Sequence, residues 1–229
     1  TVSENLVDNE LNLEFKIIET EKNYVKKINI FGNNITNEDV IRGELILDEG
    51  DPFTKLNLDK SVAEIKNRNI FKSVTTKVKD GSEKNLKVVD ITVEEQPTGE
   101  ISAGAGVGTN GGSFAIDVKE NNWLGQGKGL SFSLDLDEES VKGTINYNDP
   151  NYNLLGNSLN YSLSNSTNDV PDRGYENSLL SAAAGTSFEQ YKDVDVFLGL
   201  EVNYDDLRTD DTASATLKKQ AGTYSQLAA

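Results

Sequence analysis

Carboxylates are the only side chains in this sequence grouped in a way that suggests chemistry. Asp205-Asp206 and Asp210-Asp211 are adjacent pairs, and Asp135, Asp137, Glu138 and Glu139 cluster within one short stretch. Two carboxylates in different environments can divide acid and base roles in a hydrolase. The chain contains no Cys, His or Met, which removes thiol nucleophiles, imidazole bases, disulfides and Cys/His metal sites together. Acidic runs among polar residues are ordinarily solvated loops, and none of these has the ligand spacing of an EF-hand loop. The expectation is a protein that is not an enzyme and that needs no cofactor and no metal.

The wider composition points the same way. The 229 residues are 26% charged and 36% hydrophobic, a globular rather than a disordered balance. A net charge of -16 argues against a nucleic-acid partner, because phosphate binding needs clustered Lys and Arg. No apolar run approaches the length of a membrane helix. Both ends fall inside strand-like runs, Leu11 to Ile17 and Thr223 to Leu227, so the sequence reads as an internal piece of a longer protein.

Charge divides the chain near Gln96-Pro97: residues 1–20 carry 1 basic and 5 acidic side chains, residues 21–97 carry 13 and 14, and residues 98–229 carry 8 and 19. Before that point the periodicity alternates between strand and helix. Tyr24 to Phe31 reads as a strand ending at Gly32-Asn33-Asn34. Thr36, three residues before Asp39, reads as a capping-box start for a short helix with Val40, Ile41 and Leu45 on one stripe. Gly50-Asp51-Pro52 breaks it. Leu58, Val62, Ile65 and Asn69 predict a second helix, and Val74 to Val78 and Leu86 to Glu95 predict two strands joined at Asp80-Gly81-Ser82.

After Pro97 helical periodicity disappears and strict alternation takes over. Ile101, Ala103, Ala105 and Val107 alternate with Ser102, Gly104, Gly106 and Gly108. Phe114 to Val118, Leu130 to Leu136, Val141 to Tyr147, Leu159 to Leu163, the weaker Leu180 to Phe188 and Val194 to Tyr204 continue the pattern, with Phe197 out of phase. Seven strands and the start of an eighth are predicted. Many span roughly eight to ten residues, the length that crosses a bilayer at a tilt, where soluble strands average about five or six. Asn121 to Gly127, Asp149 to Gly156 and Glu189 to Lys192 are compact connections, whereas Ser166 to Asn177 and Asp206 to Gly222 are long and polar, an asymmetry typical of outer-membrane barrels but partial here, since Asn110 to Gly112 and Glu138 to Ser140 on the long-loop side are short. Trp123, Tyr147, Tyr152, Phe188 and Tyr191 gather toward the compact side like an interfacial girdle, with Tyr204 near the other rim.

Val25-Lys26-Lys27-Ile28-Asn29-Ile30-Phe31-Gly32-Asn33, Thr36, Val40-Ile41-Arg42, Gly50, Phe53 and Phe71-Lys72-Ser73-Val74 together resemble a POTRA domain. Asn69 departs from the family's usual Gly before the aromatic, a position where Asn still tolerates a left-handed backbone. Glu95-Gln96-Pro97-Thr98-Gly99 and Asn121-Asn122-Trp123-Leu124-Gly125-Gln126-Gly127 are similar to the POTRA-to-barrel junction and first periplasmic turn of BamA-type outer-membrane assembly proteins. The resemblance implies an α+β POTRA domain (strand, helix, helix, strand, strand) at residues 21–95. Residues 1–20 would end a preceding POTRA domain, and residues 96–229 would hold about seven or eight of an expected sixteen antiparallel transmembrane barrel strands.

What the resemblance implies about function is an assembly factor in the cell outer membrane, its POTRA domain in the periplasm. Its partners would be unfolded outer-membrane protein clients, outer-membrane lipid and assembly-complex lipoproteins. A secretion pore of the two-partner type is the alternative from the same barrel family. Two strands could carry the work. One is the first barrel strand, Gly99 to Thr109, where Gly99, Ile101, Ala103, Gly104, Ala105, Gly106, Val107 and Gly108 would form a weakly packed seam; small residues fitting a crowded lumen is the competing account. The other is a POTRA edge strand with Phe71, Val74, Thr76 and Val78, open to strand addition, or else an ordinary edge guarded by Lys72, Lys77 and Lys79.

Overall fold

A computed structural model describes residues 2–7, 10–15, 21–108, 111–153, 155–192 and 194–229. Strands β1 (Val2–Val7) and β2 (Glu10–Phe15) form an antiparallel hairpin. The expected strand through Lys16 and Ile17, and Thr109 in the seam strand, extend past the described residues.

Five elements follow: β3 (Tyr24–Phe31), α1 (Glu38–Arg42), α2 (Lys55–Asn67), β4 (Phe71–Asp80) and β5 (Leu86–Glu95). The sheet order is β3-β5-β4, with β3 parallel and β4 antiparallel to the central strand. In β3, Val25 and Ile28 are three apart yet both buried, because a register irregularity between Val25 and Lys27 inserts a residue and returns the next side chains to the core face. The helices add Ile41, Leu58 and Ile65 to a core that includes Val74, Val89, Ile91 and Val93. Burying a side chain of this size contributes about 1.5–3 kcal/mol, so this one cluster accounts for the domain's cohesion.

Helix α2 is capped by Thr54, whose hydroxyl accepts from Asn57 N at 3.1 Å. The expected cap at Thr36 is corrected. The N-cap of α1 is Asn37, and no side chain caps it, because the Thr36 hydroxyl is engaged elsewhere. Asn69 lies beyond α2 with φ 56, the left-handed conformation that ends the helix and turns the chain into β4.

Eight antiparallel strands make up the second sheet in sequence order: β6 (Gly99–Gly108), β7 (Gly111–Trp123), β8 (Lys128–Asp137), β9 (Ser140–Asp149), β10 (Ser158–Val170), β11 (Tyr175–Tyr191), β12 (Val194–Thr209) and β13 (Gly222–Ala228). Register carries each alternation into its neighbour. Ile101, Val118, Phe132, Ile145, Leu163, Ala182, Val202 and Leu227 are successive cross-strand partners. One residue over, Ser102, Asp117, Ser133, Thr144, Ser164, Ser181, Asn203 and Gln226 form the matching polar row. Among the described residues nothing packs over the apolar row: Ile101 is 74% exposed, Phe132 41% and Val202 52%. A soluble sandwich would cover that face with a second sheet; here the face suits lipid.

Phe197, out of phase in the sequence, pairs with Ser187 on the polar face. Its ring lies over the Gly185–Gly199 pair, where added Cβ atoms would come within 2.6 Å and 2.9 Å of it, so the aromatic covers backbone that glycine leaves bare. Two expected loops are also corrected. Ser166 to Asn177 is largely strand, closed by a short 3-10 turn at Pro171–Arg173, and β12 runs to Thr209 before α3 (Ala215–Gln220). Polar composition had suggested loop, but ladder pairing such as Thr167 with Ser178 satisfies the backbone regardless of side-chain polarity.

Candidate functional site

Among the described residues strand β6 lies at one edge of the eight-stranded sheet, as β13 does at the other, and pairs only with β7. All its residues are exposed, Gly99, Ile101, Ala103, Gly104, Ala105, Gly106, Val107 and Gly108 among them. Added Cβ atoms at Gly104 and Gly108 would meet nothing within 4 Å, and one at Gly106 only Ser113 Oγ at 3.1 Å. Crowding by the described neighbours therefore does not explain these glycines. Their effect on β6 is to remove cross-strand side-chain contacts and leave the ladder as its main attachment.

Strand β4 is an edge of the three-stranded sheet. Phe71 and Val74 point into the core, at 6% and 5% exposure, while Thr76 and Val78 are exposed. Lys72 pairs with Glu94 at 2.7 Å and Lys79 with Asp90. The Lys72 partner holds the Glu94 carboxyl below its ordinary range, and the Asn29 amide followed by Lys79 does the same for Asp90. A strand added here would meet backbone groups and a paired cationic fringe.

Between these edges lies a junction. Gln96 N donates to Ile70 O at 3.2 Å and its amide to Asn69 O at 2.9 Å, which ties the linker to the end of α2 and the start of β4. Asn121 N donates to Thr98 O at 3.2 Å, so pairing resumes as soon as the linker ends. Glu95, the last residue of β5, accepts from Asn34 N at 3.0 Å, Ile35 N at 3.1 Å and Thr36 N at 2.7 Å. Burial pushes the Glu95 carboxyl up, but these backbone donors and the Thr36 hydroxyl outweigh it and hold it below the usual range.

The turn after β7 packs on this loop. Asn122 Nδ2 donates to Thr36 Oγ1 at 2.9 Å, and its Oδ1 accepts from Gly127 N at 2.7 Å. Asn37 N donates to Gly125 O at 2.8 Å, and the Arg68 guanidinium donates to Gly127 O. Gly125 has φ +72, and an added Cβ would lie 2.1 Å from Ile35 O, so both the turn and the close approach require glycine. Arg68 Nε lies 3.6 Å from Glu44 Oε1, too far to hydrogen-bond. Burial at this loosely matched pair pushes the Glu44 carboxyl up. The next turn on that side adds Asn151 Nδ2 to Gly43 O at 3.2 Å.

Comparisons with known proteins follow this division. The POTRA model, described as a surface antigen variable number repeat, matches residues 23–96. BamA, the outer membrane protein assembly factor of Neorickettsia risticii (strain Illinois), is 25% identical over 226 residues, covering 93% of this chain and 29% of its own length. The crystal structure of BamA from Haemophilus ducreyi lacking POTRA domains 1-3 superposes with a TM-score of 0.72 at 20% identity, over 91% of this chain and 41% of that one. Residues 23–96 match the POTRA model, and the chain shares the fold of this BamA structure. CdiB from Acinetobacter baumannii, at 15% identity, shares the fold with a TM-score of 0.60 over 99% of this chain and 45% of that one. The chain thus spans less than half the length of each of these three proteins.

Three of the clustered carboxylates serve local structure. Asp206 pairs with Arg208 at 2.8 Å and accepts from Thr223 at 3.2 Å. Asp137 accepts from Ser140 at 3.1 Å in the β8–β9 turn. Asp210 accepts from the backbone and hydroxyl of Thr212, which hold its carboxyl below the ordinary range. Among the described residues no group of three or more His, Cys, Asp or Glu side chains could hold a metal. Sequence reasoning quoted Thr36, Glu95 and Asn122 as motif positions but gave them no interdomain role, and missed Arg68. The only available signal was that their two motifs occur in one chain.

Proposed function

We propose that this chain works in the assembly of outer-membrane β-barrel proteins, with its POTRA domain in the periplasm and residues 96–229 in the outer membrane. The supporting observation is β6, whose glycines at Gly104, Gly106 and Gly108 fall on the polar face of the sheet and leave the strand held to β7 mainly by its ladder. In lipid, unpaired N–H and C=O groups have no solvent partner, so a client strand is the natural occupant of an opened seam. Gly99 to Gly108 would act through backbone rather than side chain. The POTRA edge at Phe71 to Asp80 offers a second place for strand addition before insertion. Unfolded barrel clients, lipid and assembly lipoproteins are the partners this reading requires.

Likeness to CdiB keeps a two-partner secretion pore as the alternative. One experiment separates the two. In the full-length protein, a cysteine in β6 is disulfide-bonded to one in the last barrel strand, and client insertion into vesicles is followed. Insertion should stop while the seam is locked and resume on reduction. Normal insertion by the locked form would refute the seam and leave β4 as the candidate; export of a passenger through the locked form would favour the pore.

A further inference from the structure

A buried polar relay crosses from the POTRA domain to the barrel sheet, and we infer that Asn122 within it is a positioning residue that latches the domain in one orientation against the barrel rim. The inference concerns orientation and does not depend on which clients are handled.

Asn122 is 7% exposed, and it is the one buried polar side chain among the described residues of the eight-stranded sheet. Its amide cannot be turned over. Nδ2 faces Thr36 Oγ1 and Oδ1 faces Gly127 N. Thr36, at 2% exposure, presents its hydroxyl oxygen to Asn122 Nδ2 at 2.9 Å, and Nδ2 has only protons to offer. The hydroxyl can therefore only accept from Asn122. Glu95 in turn holds three successive backbone N–H groups of the same loop. The bonds thus run from Gly127 N through Asn122 to the Thr36 hydroxyl, and the Thr36 backbone N–H carries the link on to the charged Glu95 end, where a hydrogen bond is stronger for the charge.

Packing removes the remaining freedom. Gly125 lies so close to Ile35 O that a Cβ would not fit, and a Cβ on Gly127 would lie 2.6 Å from Val40 Cγ1. A single contact would leave the domain free to pivot about Gln96–Thr98. The contact of Asn151 with Gly43, from a second turn, supplies another fixed point away from the first. The consequence is that the β4 edge and the β6 edge keep a constant offset.

The test uses full-length protein in phospholipid nanodiscs, with spin labels at Lys77 on β4 and Gln190 near the end of β11, both exposed. Pulsed dipolar spectroscopy should give one narrow distance distribution. Asn122→Asp is nearly isosteric but removes the Nδ2 donor that binds Thr36 Oγ1 and brings a second carboxylate to the loop that Glu95 holds. It should broaden the distribution or add a second distance, while heat modifiability of the barrel on gels stays unchanged. Thr36→Val should do the same from the POTRA side, and Thr36→Ser should restore the narrow distribution. If Asn122→Asp prevents barrel folding, the Thr36 pair decides. A broad wild-type distribution, or a narrow one unmoved by Thr36→Val, would overturn the latch, whatever the outcome for client insertion.

Discussion

Replacing Glu95 with Gln tests the junction through a charged acceptor that holds three backbone donors of one loop. The carboxylate binds Asn34 N, Ile35 N and Thr36 N at 2.7–3.1 Å. Gln keeps one acceptor oxygen and puts an NH2 donor where the other oxygen faced donors. Hydrogen bonds to a charged group contribute about 1.5–3 kcal/mol and neutral ones about 0.5–1.5. Asn34 and Ile35 are exposed, so water replaces much of what they lose, but Thr36 is buried. Weakening at Thr36 together with one mismatched donor places the cost at about 2 kcal/mol. The effect should depend on pH. Because the folded Glu95 carboxyl is held below its ordinary range, its stabilisation is present above the unfolded glutamate value of about 4.3 and is lost as pH falls through the folded value. Gln does not titrate, so the gap between wild type and variant should be full near neutrality and shrink in acid. Urea unfolding of the POTRA domain, followed by tyrosine fluorescence at both pH values, measures this. An equal gap at both, or one below about 0.5 kcal/mol at neutrality, within the range of an ordinary surface change, would refute the reasoning.

Gly32→Ala should destabilise the same domain by about 2 kcal/mol or more, because φ is +89 and the new Cβ would lie 2.0 Å from Val93 O. Gly50→Ala, at φ +101 with nothing within 4 Å, should cost only the conformational strain of about 1–2 kcal/mol; equal urea midpoints for the two would contradict the close-contact argument. In full-length protein in lipid, spin labels at Phe132, Leu198 and Leu200 should be accessible to oxygen, and labels at Ser133 and Glu201 to an aqueous relaxant. Identical accessibility of the two sets would remove the assignment of the apolar row to lipid.

Much of this architecture is written locally. Alternation along Leu130 to Leu136 or Val194 to Tyr204 follows from side chains pointing to opposite faces of a strand, and a two-residue period has only one way to lie at a lipid boundary. The stripe of Leu58, Val62 and Ile65 fixes α2 in the same way, and the left-handed φ at Asn69 follows from residue type. Strand ends were less legible, because polar residues at Ser166 to Val170 satisfy their backbones by pairing with a partner strand that composition does not reveal. Thr36 marks the boundary most clearly. Its spacing to Asp39 suits a helix cap, yet its backbone N–H donates to Glu95 and its hydroxyl accepts from Asn122, 59 and 86 residues away in sequence. No local pattern encodes that choice. It depends on the β7 turn and the end of β5 arriving at the same loop, and a buried hydroxyl goes to whichever partners the fold brings within reach, because leaving them unpaired costs more than losing a solvent-exposed cap.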